Sequence, residues 1–179
     1  MKKIILILLT LIIYSCDNDD DSLTSINNDG TGGISCLVDG KITTPSGGGI
    51  YGNTDVNIDS FDGEVMLYIS FSNNNIDNEF VSISMVANDI IFEDLEGQTF
   101  QLKEKDTDPN YAEYYSIPEI GPVDYFFTNN VHTGELKIIT HDIENQVITG
   151  KFWFDAINEN DEIVEVREGR FDKKYYIGY

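Results

Sequence analysis

Apolar and polar side chains alternate along most of the chain after residue 34. Val65, Leu67, Ile69 and Phe71 alternate with Met66, Tyr68, Ser70 and Ser72, and Val81, Ile83 and Met85 alternate with Ser82, Ser84 and Val86. A period of two marks strands with one buried face. The polar run from Asn73 to Asn75, with the residues after it, predicts the turn between these two strands. Earlier, Asp39-Gly40 between Val38 and Lys41 predicts a type I′ hairpin, because both central residues of that turn need positive φ. Thr99 to Lys103 predicts another short strand.

The C-terminal third carries the clearest pattern. Leu136 and Ile138 lie on one face of a strand over 135–141, and Ile148, Phe152 and Phe154 on one face of a strand over 146–156. Polar turns at 142–145 and 158–161 bound them. In the last segment Val164 and Val166 are even-numbered, whereas Phe171, Tyr175 and Ile177 are odd. One extra residue must intervene, and Gly169 is the natural place for a β-bulge. These segments predict a three-stranded antiparallel meander. Helix signals are confined to Asp89–Leu95, enough for one or two turns stopped by Gly97. The expectation is an all-β chain: a single antiparallel β-sandwich or barrel-like domain over 34–179, with at most one short helix.

The first fifteen residues have a different pattern. Lys2 and Lys3 precede an apolar run, Ile4 to Ile13, broken only by Thr10. That run is too short to span a bilayer, which takes about 20 residues. It reads as the core of a signal peptide over 1–15. The ending Ile13-Tyr14-Ser15-Cys16 resembles a bacterial lipobox, in which the peptide is cut before the cysteine and its thiol takes up diacylglycerol. The resemblance implies lipid on Cys16 as the first mature residue, and the membrane as a partner through that lipid. The following Asp17-Asn18-Asp19-Asp20-Asp21-Ser22 resembles the acidic export signal of Bacteroidetes surface lipoproteins. It implies an outer-membrane anchor facing the cell surface, with the periplasmic face as the alternative. Asp21-Ser22-Leu23 also resembles the short O-glycosylation motif of that phylum, with Ser22 as acceptor. Residues 16–33 read as a lipidated, acidic, flexible tether.

At its C-terminal end the domain resembles small Bacteroidetes lipoprotein domains of unknown function. The resemblance rests on Gly150-Lys151-Phe152-Trp153-Phe154-Asp155-Ala156 and Glu168-Gly169-Arg170-Phe171-Asp172, with Asp39-Gly40-Lys41 as the opening hairpin. These motifs are structural; they imply the address and the β fold and bring no activity with them.

Charge narrows the choice of partner. Of 179 residues, 32 are acidic and 11 basic, for a formal net charge of −21. Loss of Lys2 and Lys3 with the leader makes the mature chain more negative still. Such a surface repels phosphate backbones and anionic lipid, which argues against nucleic acid as a partner.

Candidate chemistry is sparse. Cys36, in Ile34-Ser35-Cys36-Leu37-Val38, reads as a small buried thiol. His132 and His141 fall in no zinc-binding spacing, no Gly-x-Ser-x-Gly elbow is present, and Gly47–Gly49 lack the Lys-Ser/Thr of a phosphate loop. No cofactor is expected. Calcium is the alternative, since the oxygen ligands of Asp17, Asp19 and Asp21 and of Asn158, Asn160 and Glu162 suit it, although neither set has the spacing of a defined calcium loop. The aromatics point elsewhere. Tyr111, Tyr114 and Tyr115 sit among carboxylates, and Trp153 falls on the face opposite Phe152 and Phe154. Exposed rings beside polar groups suit stacking on a sugar. The expectation is a non-catalytic binding module for an extracellular glycan or envelope protein, with these four residues as ligand contacts. The alternatives are a polysaccharide hydrolase using paired carboxylates and a structural envelope subunit.

Overall fold

The structure is a computed structural model and describes residues 23–47, 53–61, 63–76 and 79–178. The leader, Cys16 and the acidic run to Ser22 lie outside the described residues.

The fold is all-β, as the alternation predicts. The opening hairpin is β1 (Gly33–Val38) and β2 (Lys41–Thr43). Then come β3 (Thr54–Phe61), β4 (Glu64–Ile76) and β5 (Glu79–Ala87). A single 3-10 turn, Phe92–Asp94, stands where the short helix was expected. It leads to β6 (Thr99–Leu102), β7 (Tyr111–Ile117) and β8 (Asp124–Phe127). The meander is β9 (Gly134–Asp142), β10 (Val147–Ile157) and β11 (Ile163–Lys174), and β12 (Tyr176–Gly178) follows. The strands form one sheet in the order β12-β3-β4-β5-β7-β8-β10-β11-β1-β2, with β9 on β10 and β6 on β9. It curls into a half-barrel. Every named pair is antiparallel except β12 with β3, where the chain's last strand runs parallel to the far edge.

The inward positions of this curl make the core. Leu67, Ile69 and Phe71 of β4 meet Ile83 and Met85 of β5, and Phe154 and Phe171 come from the meander, each 2 % exposed or less. Burying each such side chain contributes roughly 1.5–3 kcal/mol. Asp39 and Gly40 have φ of 49° and 77°, the left-handed pair that a type I′ turn requires. The β4–β5 turn differs from expectation. β4 continues through Asn73, which is buried, because the 44–46 segment pairs alongside it: Asn73 Nδ2 donates to Thr44 O at 2.7 Å and Ser46 N to Ser72 O at 3.1 Å.

β11 contains the expected bulge, one position from Gly169. Phe152 pairs with Gly169 and Phe154 with Val166, so Arg167 and Glu168 together oppose Trp153. Glu168 takes the left-handed conformation, with φ 52°. Gly169 is small for another reason: a Cβ there would sit 2.4 Å from the Phe152 ring. The bulge changes which residues face out, and β11 thereby presents Arg170 and Asp172 on the outer face and Phe171 inside.

Residues 23–33, expected as flexible tether, are instead fastened to the domain. Asn27 N and Asn28 N donate to Asp172 Oδ2 at 2.6 and 2.9 Å, and Gly30 N donates to Oδ1 at 2.6 Å. Asn28 Oδ1 accepts from Thr140 and Thr149 hydroxyls at 3.2 and 3.0 Å, and Leu23 is buried. A polar composition suggested a linker; the segment is ordered by a carboxylate that bonds its backbone N–H groups, which composition does not reveal. Asp172 is fully buried under this strap. Replacing Asp172 with Ala leaves those donors without their acceptor, and each unsatisfied group costs about 1–3 kcal/mol. Urea unfolding of Asp172→Ala should therefore show a loss of about 3 kcal/mol or more, with faster proteolysis near residues 23–30; an unchanged midpoint would show that the latch contributes nothing.

Candidate functional site

The β7 alternation sorts the three tyrosines by parity. Tyr111, Glu113 and Tyr115 point outward, and Ala112, Tyr114 and Ser116 point inward. Tyr114 is therefore not a ligand contact. It is 9 % exposed, packs edge-on to Phe126 at 5.5 Å, and burial pushes its hydroxyl up to about 12. In the sequence the three tyrosines form one cluster, whereas neighbours in a strand face opposite sides.

Tyr115 belongs to an aromatic strip that crosses three strands. Phe80 of β5 lies 5.7 Å from it, and Tyr125 of β8, its register partner, also lies 5.7 Å away. Tyr125 then stacks on Phe127 at 6.4 Å with the rings 9° apart. Tyr125 is 54 % exposed. At the end of the strip the Lys105 ammonium sits 5.0 Å from the Tyr111 ring and 5.3 Å from the Phe127 ring, and is bonded to Glu113. That bond holds Lys105 above its ordinary pKa, and burial raises the Tyr111 hydroxyl. Shallow hollows adjoin the strip. One of about 440 Å³ beside Phe80 and Tyr115 is lined by Tyr68, Asp55 and Ser82 among others. Another of about 490 Å³ runs from Tyr125 and Phe127 to the 158–160 turn. In the sequence Tyr125 and Phe127 follow the tyrosine cluster closely, and Phe80 stands apart from it. The signal was present in the outward parity they share with Tyr115, but it needs the strand pairing to be read.

Trp153 lies elsewhere, on the outer face of β10, 39 % exposed. The Arg167 guanidinium is 5.7 Å from its ring and is itself tied to Asp155 at 2.6 Å and to the Phe154 carbonyl at 3.1 Å. Trp153 borders a hollow of about 300 Å³ with Lys137, Lys151 and Arg170. Tyr111 and Tyr115 thus join the strip, while Trp153, on the same outer face of the sheet, lines a separate hollow.

The remaining candidates are structural. Cys36 is buried in the core, and burial pushes its thiol far above the ordinary range. A nucleophilic thiol needs the opposite shift. His141 is buried, with Nε2 3.1 Å from the Tyr175 hydroxyl and its ring edge-on to Phe92 at 5.1 Å. In the 158–162 turn, Asn158 Oδ1 accepts from Asn160 N and Glu162 N at 2.9 Å, so its side chain serves the turn itself. Among the described residues no three His, Cys, Asp or Glu side chains are grouped to hold a metal ion.

Burial lowers the pKa of His141 below its ordinary value near 6.5. The unfolded chain then binds more protons than the native one below that pH, so stability falls as pH drops through it. His141→Gln should flatten the dependence of the urea midpoint between about pH 7 and 5.5; an identical slope in both proteins would exclude His141 as its source.

Residues 52–173 match the family model described as a domain of unknown function (DUF6252), and the chain belongs to that family. The match runs from just before β3 to the end of β11 and leaves the strap and the β1–β2 hairpin outside. No curated protein and no solved structure matches the chain.

Proposed function

We propose that this protein is a lipid-anchored, non-catalytic binding module at the cell surface, and that a glycan lies along the Tyr115–Tyr125–Phe127 strip. The observation that carries the reading is the unbroken ring contact of Phe80, Tyr115, Tyr125 and Phe127 on the solvent side of the sheet. The core is built on the inner side, so solvent-facing rings in a row are not needed to close it. Aromatic faces offer apolar stacking for the C–H faces of sugar rings. Serine, asparagine and aspartate in the adjoining hollows supply the hydrogen-bond partners that a polar ligand requires. The anchor rests on the sequence: a leader with the dimensions of a signal peptide, ending at Cys16. Several acyl chains on one cysteine hold a protein durably where one holds weakly.

Titrating the protein with a panel of uncharged oligosaccharides should find one that binds saturably. Tyr125→Ala should weaken that binding at least tenfold, about 1.4 kcal/mol, while leaving the unfolding midpoint unchanged because the ring is exposed. Tyr114→Phe, inside the core, should leave affinity unaltered. Failure of every oligosaccharide, or equal binding by Tyr125→Ala, would end the glycan reading. For the anchor, growth of the native host with radiolabelled fatty acid should label the protein and leave Cys16→Ala unlabelled; label on both or neither would place the thiol outside lipidation.

A further inference from the structure

Three of the few cations of this acidic chain stand together. Lys151 of β10 pairs in register with Lys137 of β9 on one side and with Arg170 of β11 on the other. Neighbouring strands lie about 4.8 Å apart, so three cationic side chains stand in one cross-strand row about 10 Å long. Two local irregularities make this row. The register shift between Thr149 and Gly150 on the β9 side sets Lys137 opposite Lys151, and the β11 bulge turns Arg170 outward. Like charges directly opposite each other destabilise a sheet. Among the described residues neither Lys137 nor Lys151 has a carboxylate within ion-pair distance, although the chain has 32 acidic residues.

The row borders the hollow of about 300 Å³ that also contains Trp153. Two carboxylates line the same hollow: Glu135, which accepts from the neutral Gln101 amide at 3.2 Å and keeps its charge, and Glu168, 3.8 Å from Arg170, so an anion is held from the Lys137–Lys151 side. Arg167 bonds the Phe154 and Val166 carbonyls and pairs with Asp155 and Glu165, so it fixes the indole from beside it and is not available to a ligand. What the hollow offers is two lysines without carboxylate partners beside a partly exposed indole.

We propose that this hollow is a second binding site, for an acidic saccharide: a sugar ring stacks on Trp153 and its carboxylate or sulfate is held by Lys137 and Lys151. It is independent of the aromatic strip on β7 and β8. The chain holds one tryptophan, so its emission reports this site alone. The full-length protein, in mild detergent at low ionic strength, is titrated with a uronic-acid oligomer, a sulfated oligosaccharide, an uncharged oligosaccharide and inorganic sulfate. A saturable change in emission with the uronic-acid or the sulfated oligomer is expected, and whichever binds tighter identifies the anionic group. Lys137→Ala/Lys151→Ala should weaken it at least tenfold without lowering the unfolding midpoint, since both side chains are exposed and repel each other. Tyr125→Ala should leave it unchanged, which separates this site from the strip. Absence of response to both acidic saccharides, an equal response to the uncharged one or to inorganic sulfate, or an unaltered affinity in the double variant would overturn the proposal.

Discussion

The architecture depends on one inserted residue in β11. Arg167 and Glu168 share the space opposite Trp153, and everything C-terminal to them is re-phased by one position. Without the insertion, Arg170 and Asp172 would point into an apolar core and Phe171 into water. A buried unpaired charge costs far more than the left-handed backbone of Glu168, so the bulge is the cheaper solution. With it, Phe171 and Tyr175 complete the core, Asp172 fastens the strap, and Arg170 joins the lysine row.

The same outer face of the meander is organised in parallel rows. Thr140, Thr149, Asp172 and Gly33 pair across four strands, and the strap covers that row by bonding Asp172, Thr140 and Thr149. The next outward row is Lys137, Lys151, Arg170 and Ser35, and Thr24 of the strap bonds Ser35 at its end. Glu135 and Trp153 form the third. Strap, cations and indole are thus successive steps of one pleated surface, and the order follows from strand register. Asp172 removed from its strap would expose polar threonines; Arg170 removed from its row would leave the lysines. The latch and the cation row are adjacent on the bulged strand but separable.

Much of the fold was legible along the chain because period-two alternation is a local signal. The parity break between Val166 and Phe171 betrayed the bulge, and Asp39-Gly40 announced its turn. Its attribution to Gly169 was one residue off, because a glycine suggests backbone freedom first, whereas here it yields space to the Phe152 ring. The strap was read as linker because its order comes from a partner 142–145 positions away, and no local pattern encodes that. The cation row was hidden, and the aromatic strip legible only in part, for the same reason. Both are made of residues unremarkable in their own strands, and pairing alone brings Tyr115 to Tyr125 or Lys137 to Lys151.

Tyr114 marks the limit of reasoning by composition. Clustered tyrosines beside carboxylates suggested a binding surface; two of the three rings face outward and the third serves the core. The useful quantity was parity, which Ala112, Tyr114 and Ser116 show directly once β7 is recognised. The same reasoning applied to the outward set of each strand separates the molecule's charges. Three cations share one row, and a fourth, Arg167, braces the adjacent indole. Lys137 and Lys151 stand directly opposite each other without a carboxylate partner among the described residues, and the proposed anion would offset that repulsion.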